Sequence, residues 1–264
     1  MSHASQALAG GVPLPRENVY GHVKRLRWIA DRLRPSDRVI EFGCGTGYML
    51  TLPLRAWGYD VRGVDLDQGS IARGREILEA AGQPPEALQA IDLRDVEGPL
   101  DVVIASEVLE HLDDSALGEA LALIRERLRP GGLLLVTVPN GYGWFELEAV
   151  LRDHTPLGWL FGLGPVQGLL HRLRSRTTRG YVDAAHPSTV ADSPHLRRFS
   201  LRSLRATLEA AGFAVESSSG SVMFCGPFTH ALLTGVEPFM RANARLGSRF
   251  PALAAGFHVA ARRV

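Results

Sequence analysis

The chain has 264 residues, 45% of them hydrophobic, and a formal net charge of +1. That length holds one large α/β domain with insertions and a substantial core, and so small a net charge gives no global field to draw the chain onto nucleic acid. Lys24 is the only lysine, which leaves 28 of the 29 basic residues as arginine and weakens any case that one particular arginine was chosen to bind an anion.

Two cysteines, Cys44 and Cys225, are too few for a disulfide framework, and no metal site is expected. Met1 to Pro15 is small and polar without a cationic, apolar leader pattern, so a cytoplasmic location is expected. No apolar stretch reaches the roughly 18–20 residues of a membrane span.

Residues 1–18 read as a loose arm, followed by a helix from about Val19 to Leu33 that Pro35-Ser36-Asp37 closes. Val39-Ile40-Glu41-Phe42 is a short apolar run that leads into Gly43-Cys44-Gly45-Thr46-Gly47, and Tyr48 to Trp57 reads as a helix. A glycine turn between strand and helix is where α/β sheets bring backbone close to a nucleotide-like ligand. Dinucleotide loops run G-x-G-x-x-G, whereas this one runs G-x-G-x-G with Glu41 two residues ahead. An NAD-dependent oxidoreductase is disfavoured on that spacing.

Asp60 to Asp65 reads as a second strand ending in an acid, 18 residues after Gly47. A carboxylate there can accept both hydroxyls of a ribose; the competing role is a cap for the helix near Gln68, which Asp67 can fill instead. Leu88 to Ile91 is a third strand ending at Asp92, and Leu100 to Ala105 a fourth leading into Ser106-Glu107-Val108-Leu109-Glu110-His111-Leu112. Asp113 or Asp114 caps a helix from Ser115 to Leu128, whose apolar residues Leu117, Leu121, Ile124 and Leu128 share one face. Leu133 to Val138 is a fifth strand.

The alternation then breaks. About sixty residues (140–199) rich in Gly, Pro, His and Arg intervene before a helix from Leu201 to Ala211, too long for a structureless connector. Phe213 to Ser219 reads as a strand, Pro227 to Gly256 as partly helical, and Phe257 to Ala261 as a last strand. Strand and helix alternating to Pro139 specify a parallel, doubly wound sheet. Four segments follow: an arm and helix (1–35), a core (36–139), an inserted region (140–199) and a C-terminal part (200–264).

The E-x-G-x-G-x-G pattern, with acids at Asp65 and Asp92 and the strands in this order over residues 39–139, resembles the class I S-adenosylmethionine-dependent methyltransferases. The core resembles the ubiquinone-biosynthesis-type and related small-molecule O-methyltransferases. The resemblance implies a Rossmann-like, seven-stranded, mostly parallel sheet, with the last strand antiparallel beside the fifth and a lid inserted after the fifth. It implies S-adenosyl-L-methionine as cofactor and S-adenosyl-L-homocysteine as product. On it, Glu41, Gly43, Cys44, Gly45, Gly47, Asp65, Leu66, Asp92, Leu93, Ser106 and Glu107 are expected around the cofactor, with Asp92 toward the adenine amino group.

Methyl transfer from a sulfonium is an in-line displacement, and a hydroxyl or amine nucleophile benefits from a base near the methyl group. The resemblance sets the segment after the fourth strand beside the methionine end of the cofactor, which makes His111 the candidate base; holding the turn in shape is its competing role. Tyr142, Trp144, His195 and Arg198 are candidate acceptor residues, though aromatics near a loop are as often packing.

A small-molecule or lipid-like acceptor methylated at oxygen is the leading expectation. Nitrogen and a cofactor-binding but catalytically silent subunit are the alternatives. No nucleic-acid partner is expected, since the tetrad of nucleic-acid amino-methyltransferases is absent after the fourth strand. Residues 157–179, apolar and then basic, admit peripheral contact with an anionic membrane as an alternative to a lid packed on its own domain.

Overall fold

The computed structural model describes residues 12–166, 168, 172 and 195–264. Its centre is a seven-stranded sheet: β1 (Val39–Phe42), β2 (Val61–Val64), β3 (Leu88–Gln89), β4 (Leu100–Ser106), β5 (Leu128–Pro139), β6 (Phe213–Gly220) and β7 (Gly256–Arg263). The strand order is β3-β2-β1-β4-β5-β7-β6. The first five strands pair in parallel, and β7 runs antiparallel to both β5 and β6.

Period-two alternation explains the two cores. In β4 and β5, Val102, Ile104, Leu133 and Leu135 point to one face, where they pack with Leu26 and Ile29 of α1 (His22–Ala30) and Leu54 of α2 (Thr51–Ala56). Val103, Ala105, Leu134 and Val136 point to the other, against Leu121 and Ile124 of α4 (Asp114–Arg127) and Leu204 and Leu208 of α7 (Leu201–Ala210). Strands covered on both faces need near-continuous apolar runs, which the sequence supplies. The crossover helix α3 (Gln68–Ala80) starts at Asp67, whose side chain accepts the Ser70 N–H, and Asp113 caps α4 in the same way.

The expected elements appear in the expected order with shifted boundaries: the fifth strand already begins at Leu128 rather than Leu133, and the first helix is His22–Ala30. The helix expected from Tyr48 begins at Thr51, because a turn closed by Gly47 N–H to the Cys44 carbonyl comes first. The third strand stops at Gln89 rather than Ile91. The described part of the inserted region contains α5 (Trp144–His154) and α6 (Pro156–Gly162). Its return end is anchored, with Phe199 bridged to Asn140 and Ser200 capping α7 through a reciprocal box with Ser203. The connection from β6 to β7 holds α8 (Pro227–Leu233) and α9 (Glu237–Arg249).

His171, His186 and most of the basic flank in 157–179 lie outside the described residues. Among the described residues no helix is long and apolar enough to cross a membrane.

Candidate active site

The carboxyl ends of β1, β2, β4 and β5 share one edge of the sheet, and there the expected residues converge. The loop after β1 is held from below. The Glu41 carboxylate is only 4% exposed and accepts the Thr51 N–H at 2.9 Å and the Thr51 hydroxyl at 2.5 Å. Burial pushes it up to about 7, and the Thr51 bonds pull the other way. Glu41 is expected beside the cofactor, and in the structure its Oε2 is engaged by Thr51 at the start of the following helix.

Above it, Gly43 and Cys44 donate their N–H groups to the Val64 carbonyl at 2.9 and 3.1 Å, tying the loop to β2. Cys44 is buried, and burial raises its thiol well above the usual range. Gly45 has a φ of 53°, and a Cβ built there meets nothing within 4 Å. Backbone conformation, not crowding, therefore calls for glycine, and the bare peptide faces open space.

Asp65 lies beside that space. Its Oδ2 accepts the Gly45 N–H at 2.7 Å and its Oδ1 the Asp67 N–H at 2.9 Å. An ionised carboxylate has about four acceptor positions, so two remain for a polyol. The neighbouring Leu66 is 72% exposed, an apolar surface left at the mouth.

Asp92 accepts the Arg94 N–H at 2.9 Å and pairs with the Arg94 guanidinium at 3.1 Å. The Leu93 side chain is buried in the core, so only its backbone can face a ligand. Glycine loop, acid and exposed leucine fit an adenosyl-type ligand: bare backbone, a hydroxyl acceptor and an apolar face.

At the tip of β4 a second group of polar residues forms. Glu107 has a φ of 54°, unusual outside glycine, and its N–H donates to the Thr137 carbonyl at 2.8 Å. The Thr137 hydroxyl lies 2.9 Å from Glu107 Oε1 and 2.8 Å from the Ser106 hydroxyl, while Arg25 of α1 approaches Glu107 at 3.4 Å. The sequence reading missed Arg25 and Thr137. Nothing marks Arg25 among 28 arginines, but Thr137 is the one polar residue in the run Leu133 to Val138.

Glu110 is 1% exposed, and its Oε2 has no hydrogen-bond partner. Burial, then repulsion from Glu107, pushes its carboxyl up to about 9. Its Oε1 is 3.9 Å from Nε2 of the half-buried His111.

His195 meets His111 edge-on, with ring centroids 5.1 Å apart. It is delivered by Leu196 and Arg197, whose N–H groups donate to the Glu110 carbonyl at 2.9 and 3.1 Å, and Arg197 also pairs with Asp114. Donor atoms of Glu110, His111 and His195 lie within 4.8 Å of one another, so these three could hold a metal ion. The sequence could not reveal that grouping, because His195 is distant in the chain.

The acceptor candidates divide. Tyr142 is 71% exposed, its N–H held by the Asn140 side chain at 3.1 Å. Arg198 is exposed and approaches Glu146 at 3.6 Å. Trp144 is 39% exposed; its indole N–H donates to Glu148 at 2.6 Å, and its ring meets Phe224 edge-on at 4.9 Å. A cavity of about 310 Å³ opens between Arg38, Asp60, Arg62 and Leu100, at the amino ends of β1, β2 and β4 and away from the glycine loop.

Comparison with known proteins bears on the family and the fold. The family model described as a methyltransferase domain matches residues 17–218. The ubiquinone biosynthesis O-methyltransferase of Azorhizobium caulinodans is 36% identical over 135 residues, covering 50% of this chain and 52% of that protein. The chain thus spans about half the length of the curated relatives it matches.

Among solved structures, magnesium protoporphyrin IX methyltransferase from Synechocystis PCC 6803 with bound SAH is similar with a TM-score of 0.52 and 16% identity, over 92% of this chain and 81% of that one. The 1,6-didemethyltoxoflavin-N1-methyltransferase of Burkholderia thailandensis gives 0.53 and 18%, over 93% and 79%. At such identities the structures speak for the fold. The chain belongs to the methyltransferase-domain family, within the class I, S-adenosylmethionine-dependent methyltransferases.

Proposed function

We propose that this chain is an S-adenosylmethionine-dependent methyltransferase whose acceptor is a small or lipid-like molecule, methylated at oxygen. One observation carries the reading: the bare Gly45 backbone and the Asp65 carboxylate share an edge with the Glu107–His111 turn. When bound, the cofactor supplies an electrophilic methyl group on a sulfonium. Asp65 accepts the ribose hydroxyls, Asp92 the adenine amino group, and Leu66 offers its apolar face to the adenine. Arg25 and Glu107, a cation and an anion 3.4 Å apart, suit the two charges of an amino-acid end.

His111 takes the proton from the acceptor hydroxyl on a ring nitrogen as the oxygen attacks. Oxygen is supported by those curated relatives that are named ubiquinone biosynthesis O-methyltransferases. The N1-methyltransferase among the similar structures keeps nitrogen as the alternative. S-adenosylhomocysteine should raise the melting temperature while NAD leaves it unchanged; stabilisation by NAD alone would reverse the assignment.

Peripheral membrane contact through 157–179 is a companion proposal. Leu157, Trp159 and Leu160 of α6 are exposed, as a helix resting on a lipid surface requires. Co-flotation with anionic but not neutral vesicles would support it, and flotation with neither would remove it.

A further inference from the structure

Both segments that depart from the plain alternation of strand and helix begin and end at the active edge. The inserted region leaves at Asn140 and returns at Phe199, which bridge each other. The β6–β7 connection leaves after Gly220 and returns at Gly256. Because β5 and β6 are both antiparallel to β7, these points lie at the same edge as Pro139.

The two segments are joined at their roots. Asn140 donates its backbone N–H to the Ala255 carbonyl and its side-chain amide to the Ala254 carbonyl, each at 2.8 Å. They are joined again through Glu148, a buried carboxylate on α5. It accepts the Trp144 indole N–H at 2.6 Å, the Phe228 N–H at 2.8 Å, the Thr229 N–H at 3.0 Å and the Thr229 hydroxyl. Two of those donors are N–H groups in the first turn of α8 that have no partner within the helix, and an acid there suits the helix dipole. Gly226 makes the approach possible: a Cβ there would lie 2.5 Å from Glu148 Oε2.

A third segment joins them. Val19 and Tyr20 pack with Phe145, Val222, Cys225, Leu233 and Phe239 in an apolar cluster apart from the sheet cores. The Lys24 ammonium donates to the Gly220, Ser221 and Ala244 carbonyls.

We infer that the Val19–Tyr20 stretch ahead of α1, the start of the inserted region and the β6–β7 connection form one cooperative cap over the acceptor side of the site, with Glu148 as the bolt between the last two. That the cap faces an acceptor rests on the methyltransferase reading; that it opens as one unit does not. Acceptor choice then belongs to the β6–β7 connection as much as to the region after β5. A cap with its own apolar cluster and cross-links opens as a unit, whereas independently packed segments open separately.

Hydrogen exchange on the full chain, with and without S-adenosylhomocysteine, tests this in Glu148→Ala and in Gly226→Ala, which keeps the carboxylate but displaces it. Exchange should rise at least tenfold in α5 and α8 together, with the glycine loop unchanged and S-adenosylhomocysteine affinity within about twofold of the parent. If Glu148→Ala does not fold, Trp144→Phe and Thr229→Val, each removing one donor, should give smaller rises that still appear in both helices. A rise in α8 alone makes Glu148 a local helix cap and overturns the proposal, as does any spread to the glycine loop. A parent that binds no S-adenosylhomocysteine would sink the methyltransferase reading and leave the exchange result to stand by itself.

Discussion

The glycine loop is held by partners close in sequence: Thr51 is ten residues from Glu41 and Asp65 twenty from Gly45. Glu148, in the cap, is held by donors eighty and eighty-one residues away. One half of the active edge is therefore specified within a single βαβ unit, which can be carried into different surroundings with its geometry intact. The other half exists only after distant parts of the chain have met. A fold built this way can keep one cofactor while its acceptor changes, because changes in the cap need not reach the loop.

Five expected outcomes would sharpen or break that division, beginning with the largest. His111→Ala should lower turnover by about 10²–10⁴-fold with cofactor affinity nearly intact; loss of affinity and stability together would make His111 a shaping residue. Asp65→Ala should weaken S-adenosylhomocysteine binding by about 1.5–3 kcal/mol in calorimetry. It should also loosen Gly45, whose N–H it holds. Unchanged affinity would remove Asp65 from the site.

Thr51→Val deprives the buried Glu41 of one donor and should cost about 1–3 kcal/mol in urea unfolding. An effect confined to the cofactor-binding half, seen by hydrogen exchange, would support the division, and an equal effect in α8 would break it.

Glu110→Gln should change how stability depends on pH. Below the ordinary glutamate value of 4.5 both folded and unfolded chains bind the proton; above it the unfolded chain releases it, while the folded chain holds it up to about 9. The folded parent is thus progressively disfavoured as pH rises through that window, by at most about 1.4 kcal/mol per pH unit. The glutamine variant should lose that slope, and parallel melting curves across pH 5–9 would show Glu110 already ionised. Smallest of all, Trp159→Ser on exposed α6 should move stability by no more than about 0.5 kcal/mol, which thermal melts can check.

The same contrast explains what could be read from the sequence. The order of strands along the chain, the helix caps at Asp67 and Asp113, and the glycine loop beside Asp65 were legible because each is set by neighbours in the chain. Glu41 was expected beside the cofactor, and its bonds to Thr51 are an addition that no spacing announces. Trp144 read as a pocket residue or as ordinary packing, and the structure leaves it 39% exposed, with its indole N–H on Glu148 one helical turn on and its ring edge-on to Phe224. Arg25 was hidden by the arginine-rich composition. The Glu110–His111–His195 grouping and the Glu148 bolt could not be seen at all, because no pattern in one segment encodes its meeting with another.

Lys24 gives the chain an unusual chemical signature. Its ammonium is its only side-chain amine, and it is enclosed by the Gly220, Ser221 and Ala244 carbonyls. Burial lowers it to about 8, so the free base is accessible at mildly alkaline pH although the nitrogen is sheltered. Acylating reagents that decorate most proteins at dozens of points meet one side-chain amine here, half-buried, and reaction with it competes with its bonds to the three carbonyls. With the α-amine blocked beforehand, the rate of lysine acylation would report how often those three hydrogen bonds let go, at one position per molecule.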